Sequence, residues 1–367
     1  MRVLLLSAYA AVSHRYWAES LMDQLPDNEW TLLELPPRYF SWRIRGNPLT
    51  WMLSEHATLS RTYDVVLATS MVDLATLTGL YPQLGQARRI VYFHENQFAY
   101  PESLQQQPQV EAKMVNLYSA LAADEVVFNT AYNRDAFVAG VRAFLKRLPE
   151  KLPIAERLDA LKARARVLPV PLLPLSTLSG SLPNTSTRVA GRIIWNHRWE
   201  YDKNPEDFFA ALMALSEAGV GFELAVMGQR FRQLPPIFAT ARERLAAHIV
   251  AWGPQPQAKY QALLDSGDIV VSTTWHEFQG LAIMEAAQRG ALPLVPDRLC
   301  FPELYGPAYR YDGTRAGLEK TLCTWLEAPA SRPGIMPTMA WEWPEWRSAY
   351  RALLTGTGDA SRTLSQG

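Results

Sequence analysis

The sequence contains little that would support a secreted, metal-binding or membrane-spanning protein. Its 367 residues include two cysteines, Cys300 and Cys323, too few for a disulfide framework and not at metal-ligand spacing. Lys and Arg number 36, as do Asp and Glu, so no net charge attracts a polyanion to the whole surface. No apolar run approaches the ~18 to 20 residues of a membrane-spanning helix. We therefore expect a cytoplasmic chain without a membrane span, on which any nucleic acid is bound by a local patch.

The amino terminus imitates an export signal. Arg2 precedes a short apolar run, which is followed by the triplet Ala8-Tyr9-Ala10. The apolar run covers only residues 3–6, which is short for export. A first buried β-strand explains the segment better.

Strand-like apolar runs alternate with helix-compatible stretches along the first half of the chain. The runs cover residues 3–6, 30–35, 65–68, 90–93 and 125–128, and helices are predicted within residues 16–24 and 109–122. Alternating strands and helices imply right-handed crossovers and a parallel sheet. We expect residues 1–167 to form one doubly wound α/β domain.

A second alternating series follows a proline-rich stretch. Residues 168–188 contain four prolines and a Ser/Thr-rich end, from which we predict a linker without regular elements. Residues 189–340 form the second predicted domain, with strands at 192–195, 222–227, 248–252 and 268–273 and helices at 205–218, 235–247, 257–266 and 281–288. Residues 341–367 are predicted to form a helix broken by Pro344, and a tail. We expect two such domains to form a cleft, because ligands of parallel sheets bind beyond the carboxyl ends of the strands.

Two glutamates eight residues apart are the most informative feature of the second domain. Glu277 falls in a predicted strand-to-helix turn, Glu285 lies on the helix, and Gly280 stands between them. Backbone amides at the helix start lack intrahelical partners and can bind a phosphate. They belong to Phe278, Gln279, Gly280 and Leu281. Carboxylates at both ends of this turn suit sugar and ribose hydroxyls, although helix starts attract glutamate for dipole reasons as well.

The opening of the second domain carries two cations in a strand-to-helix loop. Arg198 and Lys203 precede Pro205, which can begin a helix. Facing the helix start near Gly280, the two cations would neutralise a diphosphate leaving group. The alternative is a pair of exposed ion pairs with Glu200 or Glu206.

Histidine is rare, and its placement is uneven. Four of the six histidines follow predicted strands, namely His14, His94, His197 and His276. No two of them have ligand spacing on one element, so we expect no metal. Hydrogen bonding to a sugar or a phosphate suits this set better, although a single histidine so placed is more often structural.

Two stretches of the first domain are rich in cations. Residues 36–51 interleave three arginines with four aromatic residues and no acid, a composition that suits a loop stacking on the bases of a folded RNA. Residues 134–166 hold nine Lys and Arg against four Asp and Glu. Each stretch taken alone is also typical of a solvated surface.

With these residues the chain resembles the tRNA-queuosine α-mannosyltransferase family of retaining GT-B glycosyltransferases, which are family-4-like. The resemblance runs from Val3 to about Leu354, and its narrowest parts are residues 94–97 and 197–200. It is carried by Ser13-His14 and by residues 40–43, 92–97, 126–129, 196–200, 202–203 and 276–286. The glutamate pair alone marks only a larger superfamily. One departure is Ala11-Val12, where the family usually has Gly-Gly.

The resemblance implies a GT-B fold, in which two Rossmann-like parallel-sheet domains face each other across a cleft. It implies transfer of mannose, with retention, from GDP-mannose to the cyclopentenediol of queuosine in the anticodon of tRNA of the tRNA-Asp type. His94 and Glu277 would be catalytic, with His94 beside the donor sugar. The other implied donor-binding residues are His197, Arg198, Lys203, Phe278, Gln279, Gly280, Leu281 and Glu285.

The family also implies an acceptor side on the first domain. Its residues would be Ser13, His14, Arg38, Trp42, Arg43, Arg45 and Asn96. The nucleotide-sugar donor and a tRNA acceptor are the expected partners, with no cofactor and no metal. Two alternatives stay open on the sequence: a GT-B enzyme acting on a lipid or glycan, and a noncatalytic RNA-binding protein with this fold.

Overall fold

The computed structural model describes residues 1–100, 110–150, 152–179, 187–230 and 234–357. The chain divides into two compact units. One unit comprises Met1–Pro171 together with the segment that begins at Trp343, and the other comprises Leu172–Glu342. Residues 180–186 of the predicted linker and residues 358–367 of the predicted tail lie outside the described residues.

The first unit is built on a six-stranded parallel sheet with strand order β2-β1-β3-β4-β5-β6. The strands are β1 Arg2–Ser7, β2 Glu29–Glu34, β3 Val65–Thr69, β4 Arg88–Phe93, β5 Glu125–Phe128 and β6 Arg166–Val167. Every residue of β3 is buried, as expected for a parallel strand covered by helices on both faces. Five predicted strands of this sheet are confirmed, including the one that imitated an export signal. The two-residue β6 is too short to give a sequence pattern.

Helices cover this sheet in the order expected for a doubly wound fold. They are α1 Val12–Gln24, α2 Phe40–Ser54, α3 His56–Leu59, α4 Leu74–Leu80, α5 Val110–Ala122, α6 Ala131–Leu145 and α7 Ala155–Arg164. The prediction of a loop across residues 36–51 is wrong, because α2 begins at Phe40. Gly46 and Pro48 are poor helix formers, so the sequence did not indicate a helix here. Pro48 has no N–H to bond the carbonyl of Ile44, and the Asn47 side-chain amide bonds that carbonyl instead, at 3.1 Å.

The second unit repeats the architecture with strand order β12-β11-β10-β7-β8-β9. Its strands are β7 Arg192–Trp195, β8 Glu223–Val226, β9 Ile249–Trp252, β10 Ile269–Val271, β11 Leu292–Pro296 and β12 Arg310–Tyr311. Its helices are α8 Leu175–Ser179, α9 Pro205–Glu217, α10 Ile237–Arg244, α11 Gln257–Asp265, α12 Leu281–Gln288, α13 Phe301–Leu304 and α14 Arg315–Glu327. Four predicted strands and four predicted helices of this unit are confirmed, and α12 has the predicted bounds.

Prolines account for two of the elements that the sequence analysis missed in this unit. Pro293 lies inside β11, between two neighbouring strands, where a missing N–H normally argues against a strand. Leu292 donates towards β10, whereas pairing with β12 starts only at Val295, so no partner awaits an N–H at position 293. The predicted linker also contains a regular element, α8, which follows Pro174 because proline is tolerated at a helix start.

The last described helix, α15 Trp343–Thr355, belongs to the first unit. The predicted break at Pro344 is wrong, because this proline lies in the first turn, where no N–H is needed. Tyr350 anchors the helix: its hydroxyl donates to the carbonyl of Pro169 at 2.8 Å and accepts from the Trp17 indole at 3.1 Å. Trp17 and Tyr92 stack in turn, with ring centroids 4.4 Å apart.

None of the helices in the described residues is both long and apolar enough to cross a membrane.

Candidate functional site

Two loops of the second unit are bound to each other beyond the carboxyl ends of β7 and β10. The Thr273 hydroxyl lies 2.8 Å from the carbonyl of Lys203, and the Thr274 hydroxyl lies 2.9 Å from that of Asp202. The Trp275 amide donates to the Asp202 carbonyl as well, at 2.8 Å. These bonds fix the segment before Glu277 against the segment before α9. Both loops are therefore positioned by buried backbone contacts.

Lys203 is the centre of this junction. Its buried Nζ donates to the carbonyl of His276 at 2.7 Å and lies 3.2 Å from Oε2 of Glu277 and 3.3 Å from Oδ2 of Asp202. Burial opposes the charge, but Glu277 and Asp202 together raise the pKa of Lys203 above its usual value. A charged ammonium is therefore held next to the start of α12, hydrogen-bonded to the His276 carbonyl and to Glu277 and ion-paired with Asp202.

Glu277 is held as a carboxylate. Burial would raise the pKa of this group, but Lys203, with a smaller effect from His197, lowers the pKa to about 2. Its Oε1 accepts from the backbone amide of Phe278 at 3.1 Å. Of the four amides predicted to face a phosphate, the amide of Phe278 therefore already serves Glu277.

The first turn of α12 supplies the remaining amides. Gly280 is the N-cap with φ of 78°, a left-handed conformation that favours glycine. A Cβ at this position would lie 3.3 Å from the Phe301 ring. The amides of Gly280 and Leu281 precede any carbonyl of the same helix, so the positive end of α12 is open to an anion there. The side chains of Phe278 and Gln279 are buried and support the turn from within.

His197 lies directly after β7 and is buried. Burial, followed by the charge of Lys203, lowers the pKa of His197 to about 4, so the imidazole is neutral at physiological pH. The ring also hydrogen-bonds to the backbone of Val271. Nε2 has no hydrogen-bond partner in the described part of the chain and can accept one from a ligand. Gly228 is required beneath this loop, since a Cβ there would lie 1.9 Å from the His197 carbonyl oxygen.

Arg198 is the exposed member of the cation pair. Its guanidinium lies 2.9 Å from the Glu200 carboxylate. This is the ion pair that the sequence analysis gave as the alternative to diphosphate binding. Such a pair contributes about 0 to 1 kcal/mol. Because such a pair is weak and the Arg198 side chain is exposed, its guanidinium can also bind a phosphate.

Glu285 projects from the second turn of α12. Its Oε2 accepts from the hydroxyl of Tyr260 on α11 at 2.9 Å. Burial raises the pKa of Glu285, and the bond from Tyr260 and the charge of Arg289 oppose that increase. Glu285 and Glu277 therefore occupy the two ends of one turn with opposite pKa shifts.

The first unit has its own polar cluster beyond the carboxyl end of β4. His94 is 8% exposed and is enclosed by the rings of His14, Trp17 and Tyr92, at centroid distances of 4.3, 4.7 and 4.6 Å. Neither ring nitrogen of His94 has a hydrogen-bond partner within the residues that the structure describes. Burial, and then His14, lower the pKa of His94 well below its usual value. The cluster presents a neutral imidazole.

The start of α1 tolerates the replacement of the family's glycines. Ala11 has φ of −63° and ψ of 163°, which any residue adopts, and Val12 is the first helical residue. Ser13 is exposed in the first turn, whereas His14 is buried against His94. The loop therefore needs no glycine for its conformation here.

Helix α2 divides the predicted aromatic and basic segment into a buried and an exposed half. Trp51 and Arg43 are buried, and Phe40 packs against the core. Tyr39 is exposed beside the Arg38 guanidinium, which lies 5.5 Å from its ring centroid. Trp42 is 52% exposed. A surface of arginine and aromatic side chains remains, at about half the predicted extent.

Two further acceptor-side predictions have partners within the first unit. Arg45 forms an ion pair with Asp73 and bonds Thr76 at 3.2 Å, although most of its side chain is exposed. Asn96 is fully buried, donates to Asn133 and accepts from the amides of residues 98 and 99. Its contacts favour a structural role in the loop after β4.

The cation-rich stretch of residues 134–166 is neutralised in part. Among its described residues, four cations have three carboxylate partners: Arg134 and Lys162 share Asp135, Arg142 pairs with Asp159, and Arg166 pairs with Glu125. These are ion pairs of a solvated surface, and they reduce the local excess of cations without cancelling it.

Sequence reasoning missed three residues that support these clusters. Asp202 shares Lys203 with Glu277, Tyr260 bonds Glu285, and Tyr350 closes the aromatic group behind His94. Asp202 had a signal, because it adjoins Lys203 in one of the segments that carry the resemblance. Tyr260 and Tyr350 act from distant elements and leave no local pattern. The described residues contain no group of His, Cys, Asp and Glu that could hold a metal ion.

Comparison of the sequence with known proteins identifies a family. Residues 2–172 match the family described as tRNA-queuosine alpha-mannosyltransferase N-terminal. Over 333 residues, 89% of this chain and 87% of the relative, the sequence is 31% identical to a Drosophila melanogaster protein named tRNA-queuosine alpha-mannosyltransferase.

Two solved structures support the fold. Sucrose-phosphate synthase from Thermosynechococcus elongatus has a TM-score of 0.67 at 12% identity, covering 97% of this chain and all (100%) of that one. HepE from Anabaena, in complex with UDP, has a TM-score of 0.65 at 12% identity, with coverage of 97% and 100%. The fold is GT-B, and the expected fold class is confirmed.

Proposed function

Because this chain belongs to the tRNA-queuosine alpha-mannosyltransferase family and is a glycosyltransferase, we propose that it transfers mannose from GDP-mannose to queuosine in a tRNA anticodon. The acceptor is a hydroxyl of the cyclopentenediol, in tRNA of the tRNA-Asp type. The cytoplasm is the compartment we propose, since tRNA is the substrate. A noncatalytic RNA-binding role has no support once the chain belongs to an enzyme family.

The observation that carries the proposal is the ion pair between buried Lys203 and partly buried Glu277 beside the first turn of α12. A fixed ammonium and the positive end of a helix suit a diphosphate, and a carboxylate between them suits sugar hydroxyls. Arg198 adds a second cation from the same loop as Lys203. Glu285, eight residues after Glu277, is the proposed ligand of the ribose.

In the proposed reaction the bond from the anomeric carbon to the diphosphate oxygen breaks, and a bond to the acceptor oxygen forms on the same face. The leaving phosphate oxygen takes the proton of the acceptor hydroxyl. No side-chain nucleophile is needed, so the protein contributes orientation and charge stabilisation. Lys203 has two hydrogen-bond acceptors, the His276 carbonyl and Glu277, and an ion-pair contact of 3.3 Å with Asp202. Its third hydrogen is the one proposed to bond a phosphate oxygen, in place of the contact with Asp202.

For the RNA we propose the exposed part of α2 and the two residues before it. Trp42 and Tyr39 offer ring faces for bases, while Arg38 and Arg45 offer cations for phosphates. The neutral, buried His94 is proposed to hydrogen-bond a bound substrate from the first unit. Ser13 is exposed at the start of α1 and is retained as a proposed acceptor contact.

The direct test is incubation with GDP-[14C]mannose and three acceptors: queuosine-containing tRNA, the same tRNA without queuosine, and a lipid extract. Label that enters only the first, with one hexose found on queuosine by nucleoside mass spectrometry, is the expected result. Label in the lipid instead would overturn the acceptor. The same mass spectrometry on tRNA from strains with and without the gene tests the reaction in cells.

A further inference from the structure

Glu285 ends a chain of hydrogen bonds that joins three elements of the second unit. The Asn196 side-chain amide, directly after β7, donates to the Tyr260 hydroxyl on α11 at 3.2 Å. Tyr260 donates to Oε2 of Glu285 on α12 at 2.9 Å. The same Asn196 amide also donates to the carbonyl of Ala282 at 2.9 Å. The loop that carries the proposed phosphate-binding cations is thereby tied to the helix that carries Glu285.

The chemistry of the acceptors fixes the direction of every hydrogen in this chain. A carbonyl only accepts, so Asn196 must present its NH2 group, and not its oxygen, to Ala282. The Tyr260 oxygen then receives a hydrogen from Asn196 and directs its own to Glu285. Glu285 is therefore held as an acceptor at a fixed rotamer, with its second oxygen still available.

Burial keeps this arrangement in one protonation state. Desolvation raises the pKa of Tyr260, and the adjacent carboxylate raises it further, so the hydroxyl stays a donor at physiological pH. Desolvation also raises the pKa of Glu285, and the bond from Tyr260 counteracts this. Without that bond, the carboxylate would take up a proton more readily and stop accepting hydrogen bonds with both oxygens.

Asn196 supplies a second acceptor in the same place. Its Oδ1 is buried and has no hydrogen-bond partner in the ranges of the chain that the structure describes. A buried carbonyl oxygen of this kind is costly unless a ligand or a water donates to it. A ribose carries two neighbouring hydroxyl donors, which match acceptors supplied by Asn196 and Glu285.

We propose that Tyr260, which receives a hydrogen bond from Asn196, is the positioning residue that makes Glu285 bind the ribose diol beside the Asn196 oxygen, so the enzyme distinguishes ribonucleotide donors from deoxyribonucleotide ones. The inference rests on the proposed function for the role of Glu285. It does not depend on the base, the sugar or the acceptor. Tyr260 acts through Glu285 and is not itself a catalytic residue.

The test measures binding of GDP, 2′-deoxy-GDP and 3′-deoxy-GDP by calorimetry to the wild type, Tyr260→Phe and the control Tyr309→Phe. Tyr309 donates its hydroxyl to the Gly334 carbonyl in the same unit and is not one of the residues that bond Lys203 or Glu285. The wild type and the control should prefer GDP over at least one deoxy analogue by about tenfold or more, the discrimination of a hydrogen-bonding site. Tyr260→Phe should bind GDP about 5- to 20-fold more weakly while changing deoxy-analogue binding less than twofold.

The pH dependence supplies a readout that a merely structural tyrosine would not move. In Tyr260→Phe, the loss of GDP affinity on acidification should begin at a higher pH than in the wild type, because Glu285 has lost a group that lowers its pKa. The inference is overturned if Tyr260→Phe weakens the binding of GDP and of both deoxy analogues equally. It is also overturned if GDP affinity is lost on acidification at the same pH as in the wild type. In kinetics, the KM for the donor should rise while kcat stays within about threefold.

UDP and ADP, with their deoxy analogues, separate this inference from the proposed function. If the wild type binds UDP or ADP in place of GDP and Tyr260→Phe removes the ribose discrimination there, the donor proposal fails and the Tyr260 proposal stands. If the wild type binds GDP without any discrimination against the deoxy analogues, the Tyr260 proposal fails alone. Binding of none of the three ribonucleotides overturns both.

Discussion

The ammonium of Lys203 lies 3.2 Å from the carboxylate of Glu277 where two strand-end loops meet, with Lys203 buried and Glu277 partly buried. Asp202 adds a second carboxylate to the same ammonium. The site thus holds two anions and one cation before any ligand arrives. A bound diphosphate would add negative charge, and Arg198 with the first turn of α12 would balance it. This arrangement determines the expected behaviour of several variants.

Glu277→Gln keeps the shape of the side chain and removes its charge. Transfer should fall about 100- to 1000-fold in kcat/KM, the magnitude seen when one preorganised electrostatic group is lost. Stability should fall by less than the ~3 to 5 kcal/mol of a fully broken buried pair, because Asp202 still faces Lys203. Initial rates with labelled donor and a thermal melt measure the two effects. Glu206→Gln, an exposed carboxylate on α9, is the matched control, and equal losses in both variants would contradict the prediction.

His197 makes the stability of the second unit depend on pH. Its pKa is about 4 in the folded chain, against about 6.5 for a free imidazole, so between these values the unfolded chain binds a proton that folded His197 does not. This contribution to stability is complete above pH 6.5 and is lost as the pH falls to about 4. Between pH 7.5 and 5.0 the loss should be about 2 kcal/mol in urea unfolding. His197→Gln should reduce the loss, whereas the exposed His56→Gln should leave it unchanged.

Trp42 offers a test of RNA contact that leaves every charge in place. A Cβ on Gly46 would lie 2.5 Å from the Trp42 ring, so Gly46→Ala should displace this ring from α2. Stacking of one base contributes about 1 to 3 kcal/mol, and both Gly46→Ala and Trp42→Ala should raise the KM for tRNA about 5- to 150-fold. The KM for the donor should stay constant. Arg61→Ala, at an exposed position of the same unit, is the control, and a normal tRNA KM in Trp42→Ala would refute the contact.

Tyr350 should matter more for the first unit than its distance in sequence suggests. Tyr350→Phe removes the donor to the Pro169 carbonyl and the acceptor of the Trp17 indole, which leaves two buried groups without that partner. We expect a loss of about 1 to 3 kcal/mol in unfolding free energy. Because Trp17 and Tyr92 enclose His94, the kcat should fall as well. Tyr309→Phe again serves as the control, and an unchanged melt would contradict the assignment.

Much of the fold could be predicted from local pattern. Strands of the two sheets were predicted because buried parallel strands are short apolar runs, and α12 because Gly280 and Gly290 mark its ends. Prediction failed where the missing N–H of a proline does not disrupt its helix or strand. Asn47 bonds the carbonyl that Pro48 cannot reach, and Pro293 lies opposite no acceptor, so neither proline breaks its element. The very short β6 and β12 carry too few residues for any periodicity.

The residues of the candidate site also divide into those that the sequence could predict and those that it could not. Glu277, Lys203 and the start of α12 come from turns whose sequence shows the chemistry directly, and the structure brings them together. Tyr260 and Glu285 are 25 residues apart in the sequence and lie on two different helices. Their hydrogen bond exists only because these helices pack together. Burial of Arg43 and Asn96 was equally inaccessible, since composition does not tell which side of a segment faces the core.

The return of α15 to the first unit has a consequence for protein synthesis. The ribosome makes Met1–Pro171 first, yet this unit contains Tyr350, which emerges only after the whole second unit has been made. At about 5 to 20 residues per second, the intervening residues 172–342 take roughly 10 to 35 s to translate. During that time Tyr350 is not yet present to pack against Trp17 and Tyr92. The packing of Tyr350 against Trp17 and Tyr92 is therefore completed only after residues 172–342 have been made, and chains cut short before Tyr350 lack it.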